Sequence, residues 1–305
     1  MAEPPRRVTP PPSETRNPTP PVVEGRRRSQ TPTEAVRLPP YEEARRDVTN
    51  PMKTLLASAA AQRSPRMGTL TAPMAAAPLP PPSADEPQVW VQRHRAPMKL
   101  DGRLTLLREP DSWQSACYRV LRHRLSEAGN PRTIAITSAE RGEGKTSCAV
   151  NLALALGECE RARVLLVEAN LRNPGLAALF GYVPPLCLSK QIDRHKQQPS
   201  DPWSVVEVYT PSLHVAAMDP ENSNRPLLDG PAFNFAMQSF QRAPYDYIVI
   251  DTPPVLGSAD VNLIEDNADG VLLVAWARRS SGRMVRKAVE QLSPTRLLGI
   301  TLLDA

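Results

Sequence analysis

The 305-residue sequence predicts an α/β fold, with a mostly parallel sheet covered by helices on both faces, preceded by a long disordered N-terminal tail. Two observations predict it. Short, continuous apolar runs alternate with segments that carry apolar residues at helical spacing, which is typical of βαβ units with right-handed crossovers. Proline, in contrast, is concentrated at one end, since 20 of the 35 prolines fall within residues 1–100.

Residues 1–100 are expected to be disordered, and residues 101–305 to form one folded domain. The tail has few large apolar side chains, so it cannot bury enough surface to offset the entropy lost on ordering. It carries 15 Lys and Arg against 9 Asp and Glu. Such a basic tail either contacts an anionic surface or partner, or is simply solvated. Aromatic residues are too few for a base-stacking platform, so sequence-specific nucleic-acid binding is not expected.

The sequence favours a cytoplasmic location. Its N-terminus lacks the apolar core of a signal peptide, and no run approaches the ~18 apolar residues that a membrane-spanning helix needs. The four cysteines, at positions 117, 148, 159 and 187, show no CxxC spacing and are interpreted as packing residues of a reducing compartment. The four histidines have no paired metal spacing, which argues against a zinc site.

The folded part is expected to begin with a helix near Asp111. This aspartate follows Pro110 and can cap the amino end of the helix. The apolar residues of this helix recur at i, i+3 and i+4 and are expected to face the core: Trp113, Ala116, Cys117, Val120, Leu121 and Leu125. The strands predicted after it cover residues 133–137, 164–167, 205–209, 213–217, 245–251, 271–276 and 297–302. Helices are predicted after the first of these strands and at residues 233–241 and 281–292.

The stretch AERGEGKT, residues 139–146, lies between the first strand and its helix and fits the Walker A pattern, although Ala139 stands where glycine is usual. Its glycines let backbone N–H groups curl around a phosphate, while Lys145 reaches the outer phosphates and Thr146 offers a hydroxyl to Mg²⁺. A turn without a ligand is the less favoured alternative. The predicted cofactor contacts are Ala139, Glu140, Arg141, Gly142, Glu143, Gly144, Lys145, Thr146 and Ser147.

Two further strands end in polar residues. The apolar strand of YDYIVIDTPP ends in Asp251, which is the Walker B arrangement that orders the Mg²⁺ shell. The strand of residues 164–167 is followed by Glu168, Asn170 and Arg172. Because ligands of open α/β sheets bind at the carboxyl ends of the strands, we expect both segments to lie near the phosphate loop.

Together, the segments SAERGEGKTS, VLLVEANLRNP and YDYIVIDTPP resemble the Walker A, A′ and B motifs of the bacterial tyrosine kinases, which regulate capsule and exopolysaccharide synthesis. The resemblance covers residues 111–305. It implies ATP and Mg²⁺ as cofactors, a separate membrane-bound activator as partner, a peripheral position at the inner membrane through that partner, and a homo-oligomer. The site residues that it implies are Lys145, Glu168 and Asp251 for catalysis, Thr146, Glu168 and Asp251 for the metal, and Arg172 as a further cofactor contact.

The sequence departs from this family's pattern at three places. Glu168 and Asn170 replace the two aspartates of the second motif, and an asparagine amide cannot accept a proton as a general base. Ala116 replaces the leading glutamate of the oligomer-forming helix, and the last tyrosine is Tyr247. Three functions therefore remain open: a tyrosine kinase or ATPase, a nucleotide-sensing pseudokinase, and a partition-type ATPase, which the missing second lysine of the loop disfavours.

Overall fold

A computed structural model describes residues 87–94, 100–160, 162–219 and 228–304. The disorder predicted for residues 1–86 lies outside the described residues. Eight strands form one sheet in the order β1-β4-β5-β3-β6-β2-β7-β8. The strands are β1 (Val89–Arg93), β2 (Thr133–Ser138), β3 (Val164–Glu168), β4 (Trp203–Glu207), β5 (Leu213–Ala216), β6 (Tyr247–Asp251), β7 (Gly270–Trp276) and β8 (Leu297–Leu303).

Helices occupy both faces of this sheet. They are α1 (Thr105–Arg108), α2 (Trp113–Glu127), α3 (Lys145–Leu156), α4 (Leu176–Phe180), α5 (Leu188–His195), α6 (Gly230–Arg242), α7 (Asp260–Asp266) and α8 (Gly282–Gln291). The predicted helices at 233–241 and 281–292 are confirmed as α6 and α8. Short helices α1, α4, α5 and α7 were not predicted because each offers too few turns to show a period.

The prediction of a mostly parallel sheet is confirmed. Only the pair β4–β5 is antiparallel among the described strands. Strand β2 lies at the interior of the sheet, where it pairs with β6 on one side and β7 on the other. The loop that follows β2 therefore emerges between the carboxyl ends of two neighbours, which is where open parallel sheets place their ligands.

The central strands bury both of their faces. In β3, Val164 and Leu166 belong to one core cluster and Leu165 and Val167 to another, and all four side chains are fully buried. Successive residues of a strand point to opposite faces, so the two clusters lie on the two sides of the sheet. This double burial explains why the strand is a continuous apolar run rather than an alternating one.

Strand β1 corrects the predicted boundary between tail and domain. Residues 89–93 fall within the segment expected to be disordered, yet they pair in parallel with β4 at the edge of the sheet. The pairing joins Val89 to Trp203 and Arg93 to Glu207, far away in the sequence. A local reading could not find it because the strand has a short, mixed composition and gains its order from a distant partner.

Helix α2 begins and faces differently from the prediction. Its N-cap is Ser112, whose Oγ accepts the N–H of Ser115 at 3.2 Å, so Asp111 is not the cap. Of the predicted core stripe, Leu125 is buried, but Trp113 is 79% exposed and Val120 is 53% exposed.

Arg119, Arg122, His123 and Arg124 were predicted to lie mostly on the opposite face of α2. His123 and Arg124 are exposed as predicted, whereas Arg119 and Arg122 contact the carboxyl end of α3. Arg119 donates to both carboxylate oxygens of Glu158 at 2.6–3.0 Å, and Arg122 donates to the carbonyl of Ala155 at 2.6 Å. These groups lie at the carboxyl end of α3, where a cation is favourable. The side of α2 that carries Arg119 and Arg122 therefore faces α3, and Trp113 and Val120 point outward.

Two of the cysteines pack as predicted. Cys148 and Cys187 are buried, whereas Cys117 is exposed, and all three are free thiols. The prediction of a packing role is wrong for Cys117 because it lies on the outward side of α2. No helix of the described residues is long and apolar enough to cross a bilayer.

Candidate functional site

The loop of residues 139–144 connects β2 to α3 through two glycines that its shape requires. Gly142 and Gly144 both have a φ of 85°, in the region that favours glycine. Gly144 also lacks room for a side chain, since a Cβ there would collide with Leu303 and lie 3.6 Å from the ring of Trp276. Ala139 is fully buried and is not among the residues with positive φ. Alanine is tolerated at this usual glycine position because no left-handed conformation is needed.

Thr146, in the first turn of α3, lies next to Asp251, the last residue of β6, as the Walker A and B patterns predict. The hydroxyl of Thr146 donates to Oδ2 of Asp251 at 2.7 Å. Asp251 is only 1% exposed, and no described residue donates a hydrogen bond to its Oδ1. Burial is the main cause that raises the pKa of Asp251 to about 6, while Thr146 and Lys145 oppose the rise. An unpartnered buried carboxylate oxygen next to a hydroxyl is well suited to a small cation.

Lys145 is the first residue of α3 and directly follows the loop. Its side chain is buried, and burial lowers its pKa, against which the charges of Asp251 and Glu143 act. The ammonium group of Lys145 is a buried positive charge next to the loop. Because a buried charge needs a partner, an anionic ligand such as phosphate would be stabilised there. The geometry places Lys145, Thr146 and Asp251 together.

Glu168 ends β3 opposite Asp251 in the register of the sheet. Its Oε1 accepts the N–H groups of Gly175 and Leu176, and its Oε2 accepts the N–H of Met218 at 2.8 Å. Burial raises the pKa of Glu168 to about 7, although these three hydrogen bonds lower it. The carboxylate thus anchors the start of α4 and the segment after β5. Its predicted metal role stays a prediction.

The remaining residues of the second motif lie in the loop after β3. Asn170 is buried, and its backbone carbonyl accepts the N–H of Asn173 at 3.2 Å. Arg172 is exposed, so its predicted cofactor contact stays a prediction. Arg141 of the phosphate loop donates to Oδ1 of Asn173 at 2.5 Å and thereby joins the two loops.

Other predicted contacts of the phosphate loop have structural partners. Glu140 and Arg141 are exposed at its outer turn, whereas Ser147 is half-buried and its carbonyl accepts the side-chain amide of Asn151 at 2.8 Å. Ser138 donates to the carbonyl of Glu140 at 2.5 Å. The beginning of the loop and the first turn of α3 are therefore each held by a hydrogen bond.

Sequence reasoning predicted Glu143 as a cofactor contact but missed its bonds within the protein. Its side chain is 7% exposed, and its Oε2 accepts the N–H of Glu140 at 2.7 Å. Its Oε1 accepts the hydroxyl of Ser280, which follows β7. The spacing of Glu143 from Glu140 could have suggested the first bond, but nothing local in the sequence signals the second.

The residues present fit Mg²⁺ together with a phosphate ligand. Within the described part of the chain, no group of three or more His, Cys, Asp or Glu side chains is arranged to hold a metal ion. Mg²⁺ is usually held by one or two carboxylates together with phosphate oxygens and water, so a complete protein cage is not required. The hydroxyl of Thr146 and Oδ1 of Asp251 would supply the protein's share.

The family model that matches this chain is ParA, described as "NUBPL iron-transfer P-loop NTPase", over residues 130–302. That range contains β2, the phosphate loop, Asp251 and most of β8. It leaves out β1, α1 and α2.

Two curated relatives are tyrosine kinases by name. Tyrosine-protein kinase CpsD of Streptococcus agalactiae serotype III (strain NEM316) is 31% identical over 191 residues, which cover 61% of this chain and 80% of the relative. Tyrosine-protein kinase YwqD of Bacillus subtilis (strain 168) is 29% identical over 206 residues, covering 66% and 85%. Among solved structures, the kinase domain of Escherichia coli tyrosine kinase ETK shares the fold, with a TM-score of 0.57 at 20% identity, over 69% of this chain and 83% of that one.

Proposed function

Because the chain belongs to the bacterial tyrosine kinase family within the ParA-type P-loop NTPases, we propose that it binds Mg·ATP and regulates capsule or exopolysaccharide synthesis. One observation carries the proposal: the Thr146 hydroxyl bonds to Asp251, whose second oxygen is buried without a donor among the described residues. The proposed site comprises residues 139–147 with Asp251. Arg172 is its proposed contact from the second motif.

The protein's own groups account for nucleotide binding in this proposal. Backbone N–H groups of the loop and the start of α3 bind the phosphates, and Lys145 neutralises their charge. Thr146 and Asp251 hold Mg²⁺, which when bound neutralises charge on the outer phosphates. Asp251 is better placed for the metal than Glu168, because three backbone amides already share the oxygens of Glu168.

Transfer of the phosphate to tyrosine is the first form of the proposal, with Lys145, Glu168 and Asp251 in the catalytic roles. A second form, a nucleotide-sensing pseudokinase, is favoured by a specific observation. A tyrosine hydroxyl must lose its proton during phosphate transfer, so the site needs a general base. In the second motif, Asn170 has no basic group, and the carboxylate of Glu168 already accepts backbone N–H groups such as that of Met218. In the second form, ATP acts as a conformational ligand.

The proposed setting is cytoplasmic and peripheral at the inner membrane, with a separate membrane-bound activator as partner. A homo-oligomer is proposed as well. Its support is the exposed apolar side of α2, with Trp113 and Val120, which resembles the family's oligomer-forming helix although Ala116 replaces the leading glutamate. The basic residues of the tail are proposed to add attraction to an anionic surface.

Calorimetry and label transfer from radioactive ATP test the proposal on the full chain. We expect Mg·ATP to bind with micromolar affinity, and Lys145→Ala to weaken binding at least tenfold because the phosphate charge loses its partner. Lys190→Ala, at an exposed lysine of α5, is the matched control and should bind normally. Absence of nucleotide binding by the unmodified protein would refute the proposal.

The same assay separates its two forms. Lys145-dependent phosphotyrosine, measured with and without candidate membrane activators, would support the kinase and exclude the pseudokinase. Binding without transfer or hydrolysis would do the reverse. Asn170→Asp restores the acidic group at this position, and label transfer gained by that variant would show that a missing base limits the site.

A further inference from the structure

The carboxylate of Glu143 joins two separate loops. One oxygen accepts the N–H of Glu140 within the phosphate loop at 2.7 Å, and the other accepts the hydroxyl of Ser280. The two partners of the second bond are 137 residues apart in the sequence. Since Glu143 is almost completely buried, neither bond is readily replaced by water.

Ser280 is itself fixed in place by the segment of residues 276–281, which we call the β7 loop. Its Oγ accepts the N–H of Trp276 at 2.8 Å, and its own N–H donates to the carbonyl of Trp276 at 2.9 Å. Arg278, between them, has a φ of 62°. The hydroxyl that bonds to Glu143 is therefore positioned by a closed turn.

A second contact joins the same two loops. Gly144 of the phosphate loop lies against Trp276 and Leu303, with no space left for a Cβ. Trp276 ends β7 and Leu303 ends β8, so both strands terminate against the phosphate loop. On the outer side of Trp276, the guanidinium of Arg279 stacks on the ring, 4.9 Å from its centroid, and Arg279 is exposed.

We propose that Glu143 and Ser280 are positioning residues that couple nucleotide occupancy of the phosphate loop to the conformation of the β7 loop. A phosphate that binds in the loop changes the electrostatic potential at the buried carboxylate of Glu143. One oxygen of this carboxylate accepts a hydrogen bond from the phosphate loop and the other from Ser280, so a shift of Glu143 moves both loops. The positions of Trp276 and of the exposed Arg279 then depend on whether nucleotide is bound. The proposal rests on nucleotide binding as proposed above, and linkage makes the coupling reciprocal.

The test measures the affinity for Mg·ADP and the fluorescence of Trp276 in the full chain, with Trp276→Phe used to assign the signal. Nucleotide should change the Trp276 emission. Ser280→Ala should weaken binding about tenfold and remove that change, because a buried carboxylate oxygen loses its donor. Ser280→Thr keeps a hydroxyl and should restore both. Ser126→Ala, which removes an exposed hydroxyl that donates to the carbonyl of His123 in its own helix, is the matched control.

The outcomes distinguish this coupling from the proposed function. If the unmodified protein binds no nucleotide, the proposed function fails as well. If it binds but Trp276 emission does not change, or if Ser280→Ala retains both affinity and signal, only the coupling is overturned.

Hydrogen exchange covers the case in which Ser280→Ala does not fold. In the unmodified protein, the amides of Trp276 and Ser280 should exchange more slowly when Mg·ADP is added, because their turn is stabilised. Unaltered exchange at these two amides under saturating nucleotide would overturn the coupling.

Discussion

Asp251 and Glu168 are buried acids at the ends of neighbouring strands, and they make stability depend on pH in an unusual direction. Burial raises the pKa of Asp251 from 3.8 to about 6 and that of Glu168 from 4.5 to about 7. At a pH between the ordinary pKa and the raised pKa of each group, the folded protein keeps a proton that the unfolded chain has released. These two groups therefore contribute stability that is complete at low pH and is lost as the pH rises through the folded values.

We expect the free energy of unfolding of the ligand-free protein to gain a downward slope from these groups between about pH 4 and pH 7. Denaturant titrations over this range measure it. Asp251→Asn should reduce the slope between about pH 4 and pH 6, and Glu168→Gln between about pH 4.5 and pH 7. Slopes identical to that of the unmodified protein in both variants would contradict the assignment. Mg²⁺ affinity should change oppositely, rising through about pH 6 as Asp251 ionises.

At the scale of the element, helix α2 combines an apolar stripe with ion pairs on its inner side. Of the six residues of the predicted stripe, Leu125 is buried and Leu121 packs against the core, whereas Trp113 and Val120 are exposed. Arg119 contacts Glu158, and Arg122 contacts the carboxyl end of α3.

Two substitutions in α2 separate the predicted face from the observed one. Leu125→Ala should cost about 2–5 kcal/mol, because it leaves a cavity in the core. Trp113→Ser should change the free energy of unfolding of the monomer by less than about 0.5 kcal/mol, since its ring is exposed. Chemical denaturation at low protein concentration measures both. A larger loss for Trp113→Ser than for Leu125→Ala would favour the rotation predicted from the sequence.

Strand β1 covers the edge of β4, and its removal should destabilise the domain. The N–H of Trp203 donates to the carbonyl of Gln88 at 2.9 Å, and the strand pairs along its whole length with β4. Deleting residues 1–94 should lower the melting temperature by several degrees relative to deleting residues 1–86, because backbone groups of β4 lose their partners. Equal melting temperatures for the two deletions would show that β1 contributes nothing.

At the scale of the whole molecule, the predictable parts were those whose cause is local. The runs at β3, β6 and β7 predicted strands because a doubly buried strand must be apolar throughout. The spacing of Gly142, Gly144 and Lys145 predicted the phosphate loop because the two glycines allow its left-handed backbone and the lysine supplies positive charge for a phosphate.

The parts that could not be predicted depend on distant partners. The bond from Ser280 to Glu143 and the pairing of β1 with β4 each join residues more than one hundred positions apart. The carboxylate of Glu168 likewise accepts the N–H of Met218, which lies 50 positions away in the sequence. A single sequence contains no local pattern for such contacts.

The position of β2 inside the sheet has a consequence for how the protein is made. Both of its neighbours, β6 and β7, lie far downstream in the chain. During synthesis, β2 and its phosphate loop emerge from the ribosome early, but the hydrogen bonds on both edges of the strand must wait for segments not yet translated. Thr146 likewise meets Asp251 only after β6 has been made. A nascent chain thus carries its most recognisable motif long before β6 brings Asp251 to that motif.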